Sequence, residues 1–174
     1  MAFIAAGFVD FPLIAFHFRK VATVPETWIP TFYAIAMGVD ALAALLFGRL
    51  YDRLGLGVLV LVALLSALFA PLVFWGGFPI ALLGMVLWGV SMGAQESIMR
   101  AAVAGMVPRD RRGTAYGIFN TGYGIAWFLG SALMGVLYDL SVPSLIAFSI
   151  MTQLLSLPLL VAVGRLSTRK RARK

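Results

Sequence analysis

Two carboxylates sit in the middle of long apolar stretches, Asp10 in the first and Asp40 in the second. An ionised acid at that depth costs about 2.5–3.5 kcal/mol on insertion scales, so such residues are functional candidates by default. The chemistry open to them is proton coupling or recognition of a cationic substrate group. Fixing helix packing as a hydrogen-bonded acid is the structural alternative. Asp10 lies two residues before Pro12, whose missing N–H lets the backbone open locally. Tyr33, Met37 and Asp40 recur at helical spacing on one face. A second polar stripe runs through Tyr116, Asn120, Tyr123 and Trp127, at increments of four, three and four. Amphipathic aromatics and an amide in that register can line a water-filled path or hold helix contacts, since Asn also bonds across membrane helices. Gln95 points about 100° away from Glu96 on a helix and is placed to face a cavity. A third group, Asp52, Arg53, Glu96 and Arg100, lies at matching depth near helix ends. It reads as a gating network that holds those ends together, or more simply as an ion pair between Glu96 and Arg100 at i, i+4.

Other chemistry is missing. The single His, His17, falls at the outer end of a span, where an interfacial position is expected, so the usual base of a Ser-His-Asp triad is not at hand. No His and acidic cluster has metal-ligand spacing, and there is no G-x-x-x-x-G-K-[ST] phosphate loop. Cysteine is absent, which excludes disulfides and thiolate metal sites. The chain is therefore read as neither an enzyme nor a cofactor or metal protein.

The elements that must position these residues are membrane helices. Of 174 residues, 61% are apolar, 18 more are Gly, and 12% are charged; soluble chains average about 45–50% apolar with Gly included and about 25% charged. A spanning helix needs about 20 apolar residues, and the breaks leave six stretches: 1–18, 28–47, 56–74, 78–99, 113–138 and 143–164, followed by a basic tail over 165–174. No cleavable leader is read, because the first apolar stretch opens at Met1 without a basic segment before it. The net charge of +7 tests the count. Twelve of the 14 cations follow spans two, four or six, from Arg49 and Arg53 through Arg100, Arg109, Arg111 and Arg112 to the tail, while Arg19 and Lys20 lie opposite. That asymmetry predicts six crossings with both termini cytoplasmic, and it accounts for the charge without nucleic acid.

Spans two and five end alike, Gly48-Arg49-Leu50-Tyr51-Asp52 beside Gly135-Val136-Leu137-Tyr138-Asp139, with the aspartates 87 residues apart, half the chain length. Equivalent positions in two three-helix units of opposite orientation form an inverted repeat, a common construction of secondary transporters. The fold class expected is thus all-α, six transmembrane helices as two inverted three-helix repeats.

The short turn carrying Gly48, Asp52, Arg53 and Gly55 resembles the G-x-x-x-D-R-x-G loop signature of the major facilitator superfamily. The stretch from Glu96 and Arg100 into Gly113, Tyr116, Gly117, Asn120, Gly130 and Gly135 is similar to that family's tenth and eleventh spans. Where the family's loop continues with a basic pair, this chain has Leu56 and Gly57. The resemblance maps the chain onto the C-terminal six-helix half of a permease. It implies a multi-pass cell-membrane protein that moves a small molecule by alternating access, driven by a proton or sodium gradient. It also implies a complementary six-helix half or a second copy as partner, and a role as cytoplasmic latch for the Asp52, Arg53, Glu96 and Arg100 charges. The competing reading is a non-transporting membrane scaffold or subunit derived from a transporter.

Overall fold

A computed structural model describes residues 2–171, with side chains placed for 2–162. Its helices are α1 (Ala2–Ala6), α2 (Phe11–Val21), α3 (Ile29–Leu54), α4 (Val58–Trp75), α5 (Phe78–Met106), α6 (Arg112–Leu140) and α7 (Val142–Arg171). Short 3-10 turns at Glu26–Trp28, Gly55–Gly57 and Arg109–Arg111 precede α3, α4 and α6, and no strand occurs among the described residues. Pro12, Pro30 and Pro79 start α2, α3 and α5, where the missing N–H is one that a first turn leaves unbonded anyway.

Five stretches of helix are long and apolar enough to cross a membrane: Ala2–Val21, Glu26–Trp75, Phe78–Met106, Arg109–Leu140 and Val142–Ala162. The second is 50 residues long, which as one straight helix would reach roughly 75 Å. It turns back instead at Gly55, whose φ of 65° is a left-handed conformation open to Gly. The directions follow from the contacts on α5. Gly89 and Gly93 lie on the backbone of Ala36 and Asp40 of α3, so α3 and α5 run parallel. Gly84 lies on Val73, and Gln95 reaches back to Ser66, so α4 runs antiparallel to α5 and hence to α3. On the other side Gly130 of α6 lies against the Ala6 backbone, and Tyr138 reaches His17, which makes α1 and α2 parallel to α6. Small residues at these crossings let the backbones approach, the main source of packing energy between helices in lipid.

The interior divides into two apolar clusters. Phe18, Phe32, Phe69, Val73, Met85, Trp88 and Leu145 fill the end near Trp75. Ile4, Leu59, Val62, Ala94, Ile98 and Leu160 fill the end near Gly55. Of the long helices, α6 is the least covered, with Ile118, Phe128 and Leu140 all more than 70% exposed.

Four boundaries differ from the sequence reading. The first stretch is not one helix, because the chain leaves helical geometry between Gly7 and Asp10. α3 continues beyond Phe47 to Leu54, and α5 beyond Met99 to Met106. Arg49, Asp52, Arg53 and Arg100 therefore ride on helical turns rather than in loops, since nothing breaks the helix before Gly55 or Pro108. α7 likewise continues through Arg171, into the segment expected as a tail; Ala172, Arg173 and Lys174 lie outside the described residues.

Candidate functional site

The interruption in the first helix organises the site. α1 ends at Ala6, and Asp10 takes an extended conformation (φ −73°, ψ 147°) before Pro12 starts α2. A broken helix in an apolar setting leaves carbonyls without intrahelical partners, and each must find another donor. Gln153 Nε2 donates to the Ile4 carbonyl at 3.2 Å, Ser149 Oγ to Gly7 at 2.7 Å, and Trp88 Nε1 to Val9 at 2.8 Å. α5 and α7 thus hold the opened segment in place. Gly7 sits so tightly on Ser149 and Thr152 that a side chain there would collide with them.

Beside the break lies a cavity of about 450 Å³, lined by Asp10, Phe11, Pro12, Tyr33, Trp88, Met92, Gly124, Trp127, Phe128 and Ser131. Its walls come from α2, α3, α5 and α6. Phe11 and Tyr33 pack with ring centres 4.3 Å apart, and Trp88 lies 6.4 Å from Phe11. Ser131 Oγ donates to Asp10 Oδ2, while Asp10 Oδ1 is buried with no hydrogen-bond partner among the described residues. The arrangement is a mostly apolar, aromatic chamber with one carboxylate, the composition of a small-molecule site.

The candidates named from sequence fall into different places. Asp10 and Tyr33 line the cavity together. Tyr123 is half-buried one helical turn from Trp127, the two rings 6.3 Å apart, and does not itself line it. Asn120, a turn further along α6, is exposed. Asp40 is half-buried where α3 meets Gly93, with Oδ1 unpartnered among the described residues. Gln95 does not reach the cavity: it is buried between α5 and α4, donating to Ser66 Oγ at 3.2 Å. Of the four charged residues read as a network, Glu96 and Arg100 pair at 2.7 Å. Asp52 and Arg53 are exposed, and no ion pair among the described residues joins them to that couple. At this end the Tyr116 hydroxyl of α6 links to α5, donating to the Arg100 carbonyl at 2.9 Å.

Trp88, Met92, Phe128 and Ser131 were not picked out from sequence. One more step of four along the α6 stripe, from Trp127, reaches Ser131, so that residue had a signal. Trp88 had none, because its role depends on which face of α5 meets the break. His17, expected at an interface, is buried with Nδ1 3.0 Å from the Tyr138 hydroxyl and its ring edge-on to Phe74. The partner lies 121 residues away, beyond any local pattern.

The chain matches the family model of the Major Facilitator Superfamily over residues 2–174. It belongs to that superfamily. Membership makes it a multi-pass membrane protein of a family of small-molecule transporters. As a superfamily chain it is similar to uncharacterized proteins of Mycobacterium bovis and of two strains of Mycobacterium tuberculosis. Each is 38% identical over 157 residues, covering 90% of this chain and 38% of the relative. The chain thus spans well under half the length of these curated relatives. No solved structure gives a significant match.

Proposed function

We propose that this chain is a six-helix half of a secondary transporter. It moves a small molecule by alternating access under a proton or sodium gradient, with both termini cytoplasmic and a second six-helix unit completing the pathway. The observation that carries the reading is the cavity at the broken first helix. Discontinuous helices with a substrate site at mid-membrane are a recurring construction in secondary transporters.

Two further features support it. Shifted by the 87 residues that separate Asp52 from Asp139, Ala6 falls on Gly93 and Ala43 on Gly130. Gly130 lies on the Ala6 backbone, and Gly93 lies on Asp40, within one helical turn of Ala43. The α6–α1 and α5–α3 crossings thus correspond, each made by one glycine whose counterpart under the shift is an alanine, which supports two inverted three-helix repeats. The second feature is the surface of α6. Gly117, Gly124 and Gly135 share one face of α6 and have open space where a side chain would sit, although glycine stripes in membrane helices serve close helix approach. That face fits a complementary half, or a second copy of the chain, packed against it.

In this scheme Asp40 is the candidate for ion coupling, and the Glu96–Arg100 pair with Tyr116 forms the gate on the side that carries the basic residues. The test is reconstitution of the chain with its complementary six-helix half, or as a dimer, into proteoliposomes with an imposed proton or sodium gradient and a panel of labelled small molecules. Saturable flux that collapses when the gradient is dissipated is the expected result. Folded, inserted protein that carries none of the panel under either gradient would overturn the reading.

A further inference from the structure

The wall of the cavity holds one charged side chain, the Asp10 carboxylate, and no cationic one. Ser131 donates to one carboxylate oxygen, and the other is buried without a partner among the described residues. The N-terminus of α2 contributes about half a positive charge beside it, which leaves the site net negative. Around this carboxylate stand Phe11, Tyr33, Trp88 and Trp127, whose ring faces attract cations.

Three classes of occupant fit poorly. An anion would meet the carboxylate. A neutral apolar molecule would leave the carboxylate without a counter-charge. A bare hard cation such as Ca²⁺ or Mg²⁺ needs about six or more oxygen ligands, whereas the oxygen-bearing side chains on the cavity wall are Asp10, Tyr33 and Ser131. An ammonium or phosphonium group on an apolar body satisfies both the carboxylate and the rings. The volume of about 450 Å³ lies within the range of about 300–1,000 Å³ typical of small-molecule pockets.

We infer that this cavity recognises a monovalent organic cation, with Asp10 as its counterion and the surrounding aromatic rings as its cage. The inference rests on the transport reading of the same cavity and names its substrate class. The test is binding rather than flux, so the two can fail separately. The protein in lipid nanodiscs is titrated with tetraphenylphosphonium and with tetraphenylborate, its near-isosteric anion, following tryptophan quenching against empty nanodiscs. Saturable binding of the cation, at least tenfold stronger than of the anion, is expected. Asp10→Asn, which preserves size, should weaken cation binding at least tenfold. Ser131→Ala, which frees the second oxygen, should retain or strengthen it, and it keeps the inference testable should the first variant not fold. Equal binding of both ions, or a Ser131→Ala protein that loses the cation, overturns the inference. So does a folded Asp10→Asn protein that binds the cation unchanged. Selective cation binding by a protein that drives no flux of any compound would sustain this inference and remove the transport reading; gradient-driven flux without selective binding would do the reverse.

Discussion

Substituting alanine for glycine along α6 should split by position, and the split can be worked from the geometry. Gly130 faces the backbone oxygen, Cα and carbonyl carbon of Ala6, all nearer than a Cβ tolerates. Backbone cannot rotate aside as a side chain can, so Gly130→Ala must push α1 away from α6 and loosen the broken segment that α1 leads into. Overpacking of this kind costs about 1–3 kcal/mol. The gain in helix propensity from Gly to Ala, about 1 kcal/mol, offsets part of it, for a net loss of up to about 2 kcal/mol. Gly124 is also on α6 but has nothing within contact distance of a Cβ. Gly124→Ala should therefore leave the unfolding midpoint of the chain unchanged or raised. The assay is unfolding in mixed micelles by increasing SDS, followed by tryptophan fluorescence and helicity. A Gly130→Ala protein as stable as the Gly124→Ala protein would refute the α1–α6 crossing described above. If a second six-helix unit packs on α6, Gly124→Ala should weaken that association, a separate effect visible in native mass spectrometry.

Other substitutions bear on the remaining parts. Asp40→Asn should abolish gradient-driven flux in proteoliposomes while leaving insertion and unfolding midpoint intact; unchanged flux removes Asp40 from coupling. Trp88→Phe keeps a ring on the cavity wall but strips the Val9 carbonyl of its donor, so it should cost about 1–3 kcal/mol of stability and speed amide exchange around Val9 and Asp10. Glu96→Gln breaks an exposed ion pair and should shift stability by only a few tenths of a kcal/mol, yet raise the reactivity of a single cysteine at Ala104 toward a thiol reagent added on that side. Unaltered reactivity would remove the pair from gating.

What could be read from the residues alone follows a physical divide. Membrane class rests on summed composition, and the hairpin between α3 and α4 on Gly55 and Gly57, so both were visible locally. Asp10 and Pro12 marked the place where the first helix opens, because one is costly in lipid and the other lacks an N–H. The groups that make the opening tolerable were not visible: Trp88, Ser149 and Gln153 bond carbonyls 79, 142 and 149 residues away. Gln95 shows the same limit in another form. Its angle from Glu96 was legible, but α4 lies on that side of α5 and supplies Ser66, and how a helix is rotated against its neighbours is set by the whole packing. The charged helix ends were misjudged as loops for a simpler reason. Asp52, Arg53 and Arg100 are acceptable helix residues, and a helix stops at Gly or Pro rather than where the lipid does.

The most direct test of transport is access to the cavity from both faces of the membrane. The chain has no cysteine, so Met92→Cys and Phe128→Cys each place a single thiol on the cavity wall. Right-side-out and inside-out vesicles would be treated with a membrane-impermeant thiol reagent, with and without an imposed ion gradient. Alternating access predicts labelling from either face, with the gradient shifting the balance between them. Labelling confined to one face under every condition, or to neither, would contradict it.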